Sequence, residues 1–157
     1  MEKTQSGSIF TSKLHHVGIV VKDLKKAIAY YESIGFGPFK AREGVQTVTI
    51  PFKGELNGKP AEWKTTISNG KMGEVELELL EPTEGPQALK ESLDATGEGL
   101  HHIGFLSDDV DAEIAKAKKK GLKVWTSAKR ADGKIAFCYL YPTEVGKLAV
   151  EIRLTHP

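Results

Sequence analysis

Histidine pairs occur twice in this sequence, in two segments that resemble each other. Residues 15–35 read HHVGIVVKDLKKAIAYYESIG and residues 101–121 read HHIGFLSDDVDAEIAKAKKKG. A constant offset of 86 residues aligns both histidines, a following glycine and an aspartate. Each copy later contains a strand-like run with a glutamate, EVELELLEP around Glu78 and KLAVEIRL around Glu151. Two histidines and two glutamates in equivalent places of a repeat predict a metal site.

Two neutral imidazoles and two carboxylates suit a divalent ion of borderline softness, namely zinc, cobalt, nickel, manganese or iron(II). The carboxylates neutralise the ion and leave one or two positions for water or substrate oxygens. Because side chains alternate between the faces of a strand, only one histidine of each pair can face the ion. The pattern alone leaves two choices open, His15 with His101 or His16 with His102. The alternative, four unrelated residues at strand ends, is disfavoured by the repetition.

The repeat also predicts the elements that position these residues. Each copy begins with a strand, LHHVGIVV at 14–21 or LHHIGFLS at 100–107, whose single glycine suits close approach by another backbone. An aspartate at a helix N-cap follows, then an amphipathic helix that ends at a glycine. Extended runs complete each copy, so each module is predicted as β-α-β-β-β.

In the first copy, the extended segments are predicted as FGPFKA, GVQTVTIPF, AEWKTTIS and GEVELELLEP. SNGK at 68–71 predicts the turn between the last two of these strands, and ADGK at 131–134 predicts a turn in the second copy. From His16 to Glu78 is 62 residues, whereas from His102 to Glu151 is 49. The 13 additional residues of the first copy fit an enlarged loop around GELNGKPAE.

Together these elements predict an α+β fold in which two tandem βαβββ modules pair their sheets into a cup-like half-barrel. We expect a single domain at 14–157 after a flexible N-terminal segment at 1–13. Module one would span 14–82 and module two 99–155, with a linker at 83–98 that contains one short helix. Pairing the modules closes their concave faces into a cup in which a small molecule would lie.

The composition, with 39% hydrophobic and 27% charged residues, is that of a globular protein. A formal net charge of +1 argues against nucleic-acid and membrane partners, and no run approaches the roughly 20 apolar residues of a membrane span. Cys138 is the only cysteine, which fits a reducing compartment. Since the N-terminus lacks the apolar core of a secretory signal, we expect a cytoplasmic protein.

The two HH-hydrophobic-Gly segments, together with ELLEP, GEGLHHIGF and the closing VEI, resemble the vicinal oxygen chelate superfamily. This superfamily includes glyoxalase I, methylmalonyl-CoA epimerase, extradiol dioxygenases and drug-resistance proteins. The resemblance covers residues 14–155 and implies the paired βαβββ fold, a homodimer and a divalent metal. It places the metal ligands on the second histidine of each pair and on both glutamates: His16, Glu78, His102 and Glu151. His15 and His101 would then lie behind the ligands.

Within the superfamily, GEGLHHIGF and the nine-residue step from Pro142 to Glu151 most resemble methylmalonyl-CoA epimerase. The resemblance implies a metal-dependent isomerase or epimerase that acts through a metal-chelated enediolate. Methylmalonyl-CoA-like thioesters are the first substrate hypothesis. Two positions depart from the epimerase pattern. Epimerases usually carry glutamine where this chain has Glu78, the residue of bacterial-type glyoxalase I, and Thr47 stands in the place of the first general base.

Removal of a proton next to a thioester or ketone requires a base and neutralisation of the charge that develops. Glu151 is a candidate base that also touches the ion, and Glu76 is a candidate for the opposite face, with Glu43 and Glu78 as alternatives. Two other functions remain open: a glyoxalase I-like lyase on another α-hydroxy or α-keto substrate, and a non-catalytic binding protein of the resistance type. An iron(II) dioxygenase is disfavoured, because a fourth protein ligand crowds the positions needed for oxygen.

Overall fold

The computed structural model describes residues 14–155, excluding the side chain of Glu43; the predicted flexible segment at 1–13 lies outside the described residues. The first half of the chain forms β1 (Leu14–Val20), α1 (Leu24–Ser33), β2 (Val48–Leu56), β3 (Lys59–Met72) and β4 (Val75–Glu84). The second half forms α2 (Ala88–Thr96), β5 (Gly99–Ser107), α3 (Val110–Lys119), β6 (Val124–Lys129), β7 (Ile135–Leu140) and β8 (Ala149–Leu154). The order β-α-β-β-β therefore occurs on both sides of α2.

The eight strands close into a barrel in the order β1-β4-β3-β2-β6-β7-β8-β5. Within each module the first strand pairs in parallel with the last, β1 with β4 and β5 with β8. The modules meet twice, through the antiparallel pairs β1–β5 and β2–β6. The predicted α+β fold of two βαβββ modules around a cup is thus confirmed, and the second of these pairs closes the predicted half-barrel into a complete ring.

The additional residues of the first module form a hairpin, so the predicted enlarged loop is wrong. Strands β2 and β3 pair without a break to Leu56 and Lys59. The two residues between them, Asn57 and Gly58, have φ angles of 53° and 75°, as the tight two-residue hairpin turn requires. The end of β2 pairs with residues 126–128 of β6. The extension therefore supplies the strand that closes the barrel.

Two other local predictions are wrong. SNGK at 68–71 lies inside β3, whose pairing with β4 continues to Met72, and FGPFKA contributes only an isolated bridge between Lys40 and Asn69. At Gly70 an added Cβ would lie 2.7 Å from the ring of Phe39, so this glycine serves close packing and no turn. The turn at 131–134 is confirmed by the bond from Gly133 N to Arg130 O.

Both helices that follow a histidine strand begin and end as the sequence predicts. Asp23 accepts a hydrogen bond from the backbone N–H of Lys26, and Asp109 accepts one from that of Ala112. The helices end before Gly35 and Gly121, whose φ angles of 96° and 79° are in the left-handed region. No helix among the described residues is long and apolar enough to cross a membrane.

Alternation along β4 and β8 separates the core from the cup. Leu77 and Leu79 pack against α1 on the outside of the barrel, and Ile152 packs in the same way against α3. The residues between them point inward, where Glu78 and Glu151 are only 3% and 2% exposed. The helices thereby fix the strands from outside while the opposite face carries the polar side chains.

Closure of the barrel predicts that Gly54 cannot be enlarged. A Cβ at Gly54 would lie 1.8 Å from the backbone oxygen of Ser127 on β6, so Gly54→Ala must separate β2 from β6. We expect a loss of about 1–3 kcal/mol in the free energy of unfolding, measured by urea denaturation. Lys53→Ala, at an exposed neighbouring position, is the control and should change stability little. Equal stability of the Gly54→Ala variant and the native chain would contradict this role.

Candidate metal centre

The four predicted ligands meet on adjacent strands at the centre of the barrel. His16 lies on β1, Glu78 on β4, His102 on β5 and Glu151 on β8, and all four are buried. In the register of the sheet, Gly18 lies between Glu78 and His102. In the second module, Gly104 lies in the same way between Glu151 on β8 and His16 on β1. Each glycine is therefore flanked by a glutamate of its own module and a histidine of the other module.

The ligand atoms are as close to one another as those around a single ion. His16 Nε2 lies 3.2 Å from His102 Nε2, and Glu151 Oε2 lies 2.7 and 2.9 Å from these two nitrogens. Glu78 Oε2 is 3.6 and 3.5 Å from the same two nitrogens. Bonds of about 2.0–2.2 Å from one ion place neighbouring ligand atoms roughly 3 Å apart. The cluster is consistent with a divalent metal site that has two imidazole and two carboxylate ligands.

Each glycine of the repeat makes room for the histidine ring of the other module. An added Cβ at Gly18 would lie 2.0 Å from the His102 ring, and one at Gly104 would lie 1.9 Å from the His16 ring. The sequence predicted close approach by a backbone at these glycines, whereas the approaching group is an imidazole. The spacing of two residues from histidine to glycine in each copy is thus a requirement of the cluster.

The first histidine of each pair supports the second. His15 Nδ1 lies 3.1 Å from His16 Nδ1, and His101 Nδ1 lies 2.9 Å from His102 Nδ1. Burial, followed by the positive charge of His102, lowers the pKa of His101 to about 3, so this ring is neutral. With Nε2 of the second ring free to bind an ion, its Nδ1–H donates to the neutral ring behind it. His16 and His102, the pair that the resemblance implies, are therefore the ones that face the cluster.

The charges of the cluster depend on one another. Burial alone would lower the pKa of His102, but the charges of Glu151 and Glu78, together with the hydrogen bonds to them, outweigh burial and raise the pKa to about 9. Burial would raise the pKa of Glu78, but the hydrogen bond from His102 and the charge of Arg153 lower it to about 2. The pKa of Glu151 is also held well below its usual range against burial, by His16 and His102. Both carboxylates are thus ionised and ready to serve as ligands.

Arg153 is the residue of the site to which the sequence assigned no function. Its Nη1 donates to Glu78 Oε1 at 3.1 Å, while the other oxygen of that carboxylate faces the two imidazoles. On β8, Arg153 follows Glu151 by two residues and therefore lies on the same inward face of the strand. Its contact with Glu78 was invisible, because that residue comes from the other module.

The candidate base positions differ in their surroundings. Glu76 borders the cup with its side chain 29% exposed, and its carboxylate lies 3.6 Å from Lys71 Nζ. Thr47 precedes β2 and is not among the residues that border the cup. The side chain of Glu43 is not described. Among the described candidates outside the buried cluster, Glu76 is therefore the one carboxylate that faces the cup.

The cluster lies beside a cavity of about 550 Å³, a size typical of small-molecule sites. Phe52, Trp63 and Phe137 form an aromatic part of its wall. Besides Arg153, four basic residues border it: Lys40, Arg42, Lys129 and Arg130. The cavity therefore combines a buried ligand set, an apolar wall and a positive border.

Two paired βαβββ modules surround a cup, and the buried cluster of two histidines and two glutamates in it resembles a metal site. The chain belongs to the Glyoxalase/Bleomycin resistance protein/Dioxygenase superfamily, whose family model matches residues 15–139. The resemblance inferred from the sequence is thus confirmed.

Relatives include both uncharacterised and named proteins. The chain is 27% identical over 143 residues to uncharacterized protein YqjC of Bacillus subtilis, covering 90% of this chain and 91% of that protein. It is 28% identical over 152 residues to human mitochondrial methylmalonyl-CoA epimerase, covering 94% and 77% of the two chains. A solved methylmalonyl-CoA epimerase of Streptomyces coelicolor, in complex with 2-nitronate-propionyl-CoA, superposes with a TM-score of 0.59 at 25% identity over 93% and 99% of the chains.

The reciprocal glycine contacts predict that small additions at these glycines weaken metal binding. Gly18→Ala and Gly104→Ala should each displace the facing imidazole and lower the zinc affinity at least about 10-fold, measured by competition with a chelating dye. Gly70→Ala is a matched control, because its Cβ would instead meet the Phe39 ring. It should lower stability and leave the zinc affinity unchanged. A Gly18→Ala variant that binds zinc like the native chain would exclude this function of the glycine.

The protonation of His102 predicts that metal binding depends on pH. With a pKa raised to about 9, His102 carries a proton near neutral pH that a metal ion must displace. The apparent zinc affinity should therefore rise by about 10-fold per pH unit between pH 6 and 8, as protons compete less. Calorimetry in buffers of different ionisation enthalpy should show release of at least one proton per ion. An affinity that is independent of pH would contradict the charge assignment.

Proposed function

We propose that this chain is a divalent-metal-dependent isomerase or epimerase that moves a proton at the carbon next to the carbonyl group of an acyl-CoA thioester. The observation that carries the proposal is the buried cluster of His16, Glu78, His102 and Glu151 at a cavity bordered by a further carboxylate, Glu76. Two findings among the relatives support this chemistry: several are named epimerases, and the Streptomyces coelicolor epimerase was solved in complex with an acyl-CoA compound.

The four residues of the cluster would hold the ion. The ion would neutralise negative charge that develops on the substrate oxygens as the proton leaves. The carboxylates would balance the charge of the dication, and the two imidazole rings are fixed by His15 and His101. Burial of all four side chains keeps water from competing with the substrate, which strengthens electrostatic stabilisation.

Glu76 and Glu151 are the proposed catalytic bases. Glu151 is flanked by both imidazoles, and with its pKa held well below the usual range it is a weak base in that setting. Glu76 stands outside the buried cluster and faces the cavity. We therefore propose that Glu76 carries the larger share of proton transfer, while Glu151 combines ligand and base.

The basic border supports a substrate with phosphate groups. Lys40, Arg42, Lys129 and Arg130 all border the cavity, and phosphates pair strongly with lysine and arginine. Lys129 also lies 3.5 Å from Glu55, and Arg130 lies 3.5 Å from Asp132. A coenzyme A group outside the cup with its acyl group inside would use both the positive border and the apolar wall.

A lyase that acts on a hemithioacetal is the second candidate, and Glu78 is the observation that favours it. The sequence resemblance associates glutamine at this position with epimerases and glutamate with bacterial-type glyoxalase I. Both reactions need the same removal of a proton next to a carbonyl group, so the cluster serves either. The substrates distinguish the two candidates.

Hydrogen exchange tests the proposal directly. Metal-loaded protein is incubated in deuterated water with methylmalonyl-CoA or with the hemithioacetal of methylglyoxal and glutathione, and deuterium at the reacting carbon is followed by mass spectrometry. Exchange into the thioester supports the epimerase, and turnover of the hemithioacetal alone favours the lyase. The proposed chemistry would be overturned if the protein did not turn over the hemithioacetal and did not exchange hydrogen in any of a panel of acyl-CoA thioesters.

Substitution of Glu76 should separate proton transfer from metal binding. Glu76→Gln should lower the exchange rate by about 100-fold or more, a typical contribution of a general base, and leave the metal content of the purified protein unchanged. Glu78→Gln should weaken metal binding itself. Glu74→Gln, at an exposed position just before β4, is the matched control and should retain both properties. Native exchange rates in the Glu76→Gln variant would remove this residue from the mechanism.

A further inference from the structure

One charged side chain in the cup is neither a proposed ligand nor a proposed base. Arg153 follows Glu151 by two residues on β8 and borders the cavity. Its Nη1 lies 3.1 Å from Glu78 Oε1, and Oε2 of the same carboxylate lies 3.5 Å from His102 Nε2. A single carboxylate group therefore separates the guanidinium from the proposed ligand atoms. A substrate group next to the ion would also be next to Arg153.

The guanidinium has more donors than its protein partners can accept. Of the carboxylates that the structure describes in residues 14–155, only Glu78 lies within 4.0 Å of it, and it is bound through a single oxygen. Nη2 lies 3.3 Å from His16 Nδ1 and 3.4 Å from His15 Nδ1. When His16 Nε2 holds an ion, its Nδ1 carries a proton and cannot accept from arginine. The planar group, with five N–H donors, is left with capacity for another acceptor.

The charges in the cup also favour a negatively charged group on the bound molecule. Glu78 and Glu151 together balance a divalent ion, and Glu76 lies near Lys71. The positive charge of Arg153, whose side chain is 22% exposed, then remains without a full counter-charge. A single negative group on the bound molecule would complete the balance. A carboxylate fits the two-donor edge of a guanidinium better than any neutral group does.

We propose that Arg153 is a specificity-determining residue that pairs with a carboxylate of the bound small molecule. This inference rests on the proposed function for the presence of the ion, and it adds a residue that selects among substrates. A molecule with a neutral group at that position would leave the guanidinium with unused donors in a partly buried site. The expected discrimination is roughly 10- to 150-fold, the range for hydrogen bonds to charged groups.

The test compares two non-reacting probes of equal size, malonamate with one carboxylate and malonamide with none. Calorimetry on zinc-saturated protein gives the affinity ratio of the two probes. Arg153→Met should reduce the ratio by roughly 10- to 150-fold relative to the native chain. Arg153→Lys, which keeps the charge without the planar group, should retain part of the ratio. Lys53→Met, which removes an exposed positive charge outside the cavity, should leave the ratio unchanged.

Three outcomes would overturn the proposal. One is an unchanged ratio in Arg153→Met with an altered zinc affinity, which would show that Arg153 only holds Glu78 in place. Another is an equal loss in Lys53→Met, which would show that net charge alone attracts the probe. The third is a native chain that does not discriminate between the probes. If Arg153→Met does not fold, Arg153→Gln is measured in the same way, since its amide can still donate to Glu78.

The same experiment keeps this proposal distinct from the proposed function. Neither probe has to react, so a chain without exchange activity can still show the preference for malonamate. Affinities are also measured on metal-free protein. A preference that depends on Arg153 there would support the pairing even if no ion binds, whereas a preference that persists in Arg153→Met would contradict it.

Discussion

The contact of each module's histidine ring with the other module's glycine is the constraint on which the rest of this structure depends. His102 lies over Gly18 and His16 lies over Gly104, so neither module can complete its half of the cluster alone. A shift of β5 by one residue against β1 would turn His102 away from the centre and break up the cluster. Pairing of the modules therefore brings the four side chains together.

Because the cluster is buried, its charges must balance as well as its side chains fit together. Burying two carboxylates and two imidazoles away from water costs free energy unless their charges neutralise one another, as the shifted pKa values of Glu78 and His102 show. Arg153 and the rings of His15 and His101 hold the outer atoms of the cluster. The inner atoms remain turned towards one point. A metal ion there would replace the shared protons and leave the surrounding contacts in place.

The repeat made most of the fold predictable, because equivalent residues must occupy equivalent places in both modules. It predicted both βαβββ modules, the helix caps at Asp23 and Asp109, and a cluster of two histidines with Glu78 and Glu151, whereas the choice of His16 and His102 came from the family resemblance. The errors arose where tertiary packing overrides local signals. Asn69 and Gly70 resemble a turn but lie in a strand that Phe39 packs against, while Asn57 and Gly58 form the turn. The contact of Arg153 with Glu78 joins the two modules, so no local pattern could reveal it.

X-ray absorption spectroscopy on the zinc-loaded chain reports the atoms bound to the ion and so tests whether the two histidines and two glutamates share one metal. We expect one zinc per chain with two imidazole nitrogens and two carboxylate oxygens from the protein, at about 2.0–2.2 Å. The imidazole signal should fall by half in a variant that lacks either His16 or His102. A zinc shell of water and surface carboxylates, or an imidazole signal that survives the loss of both histidines, would contradict it.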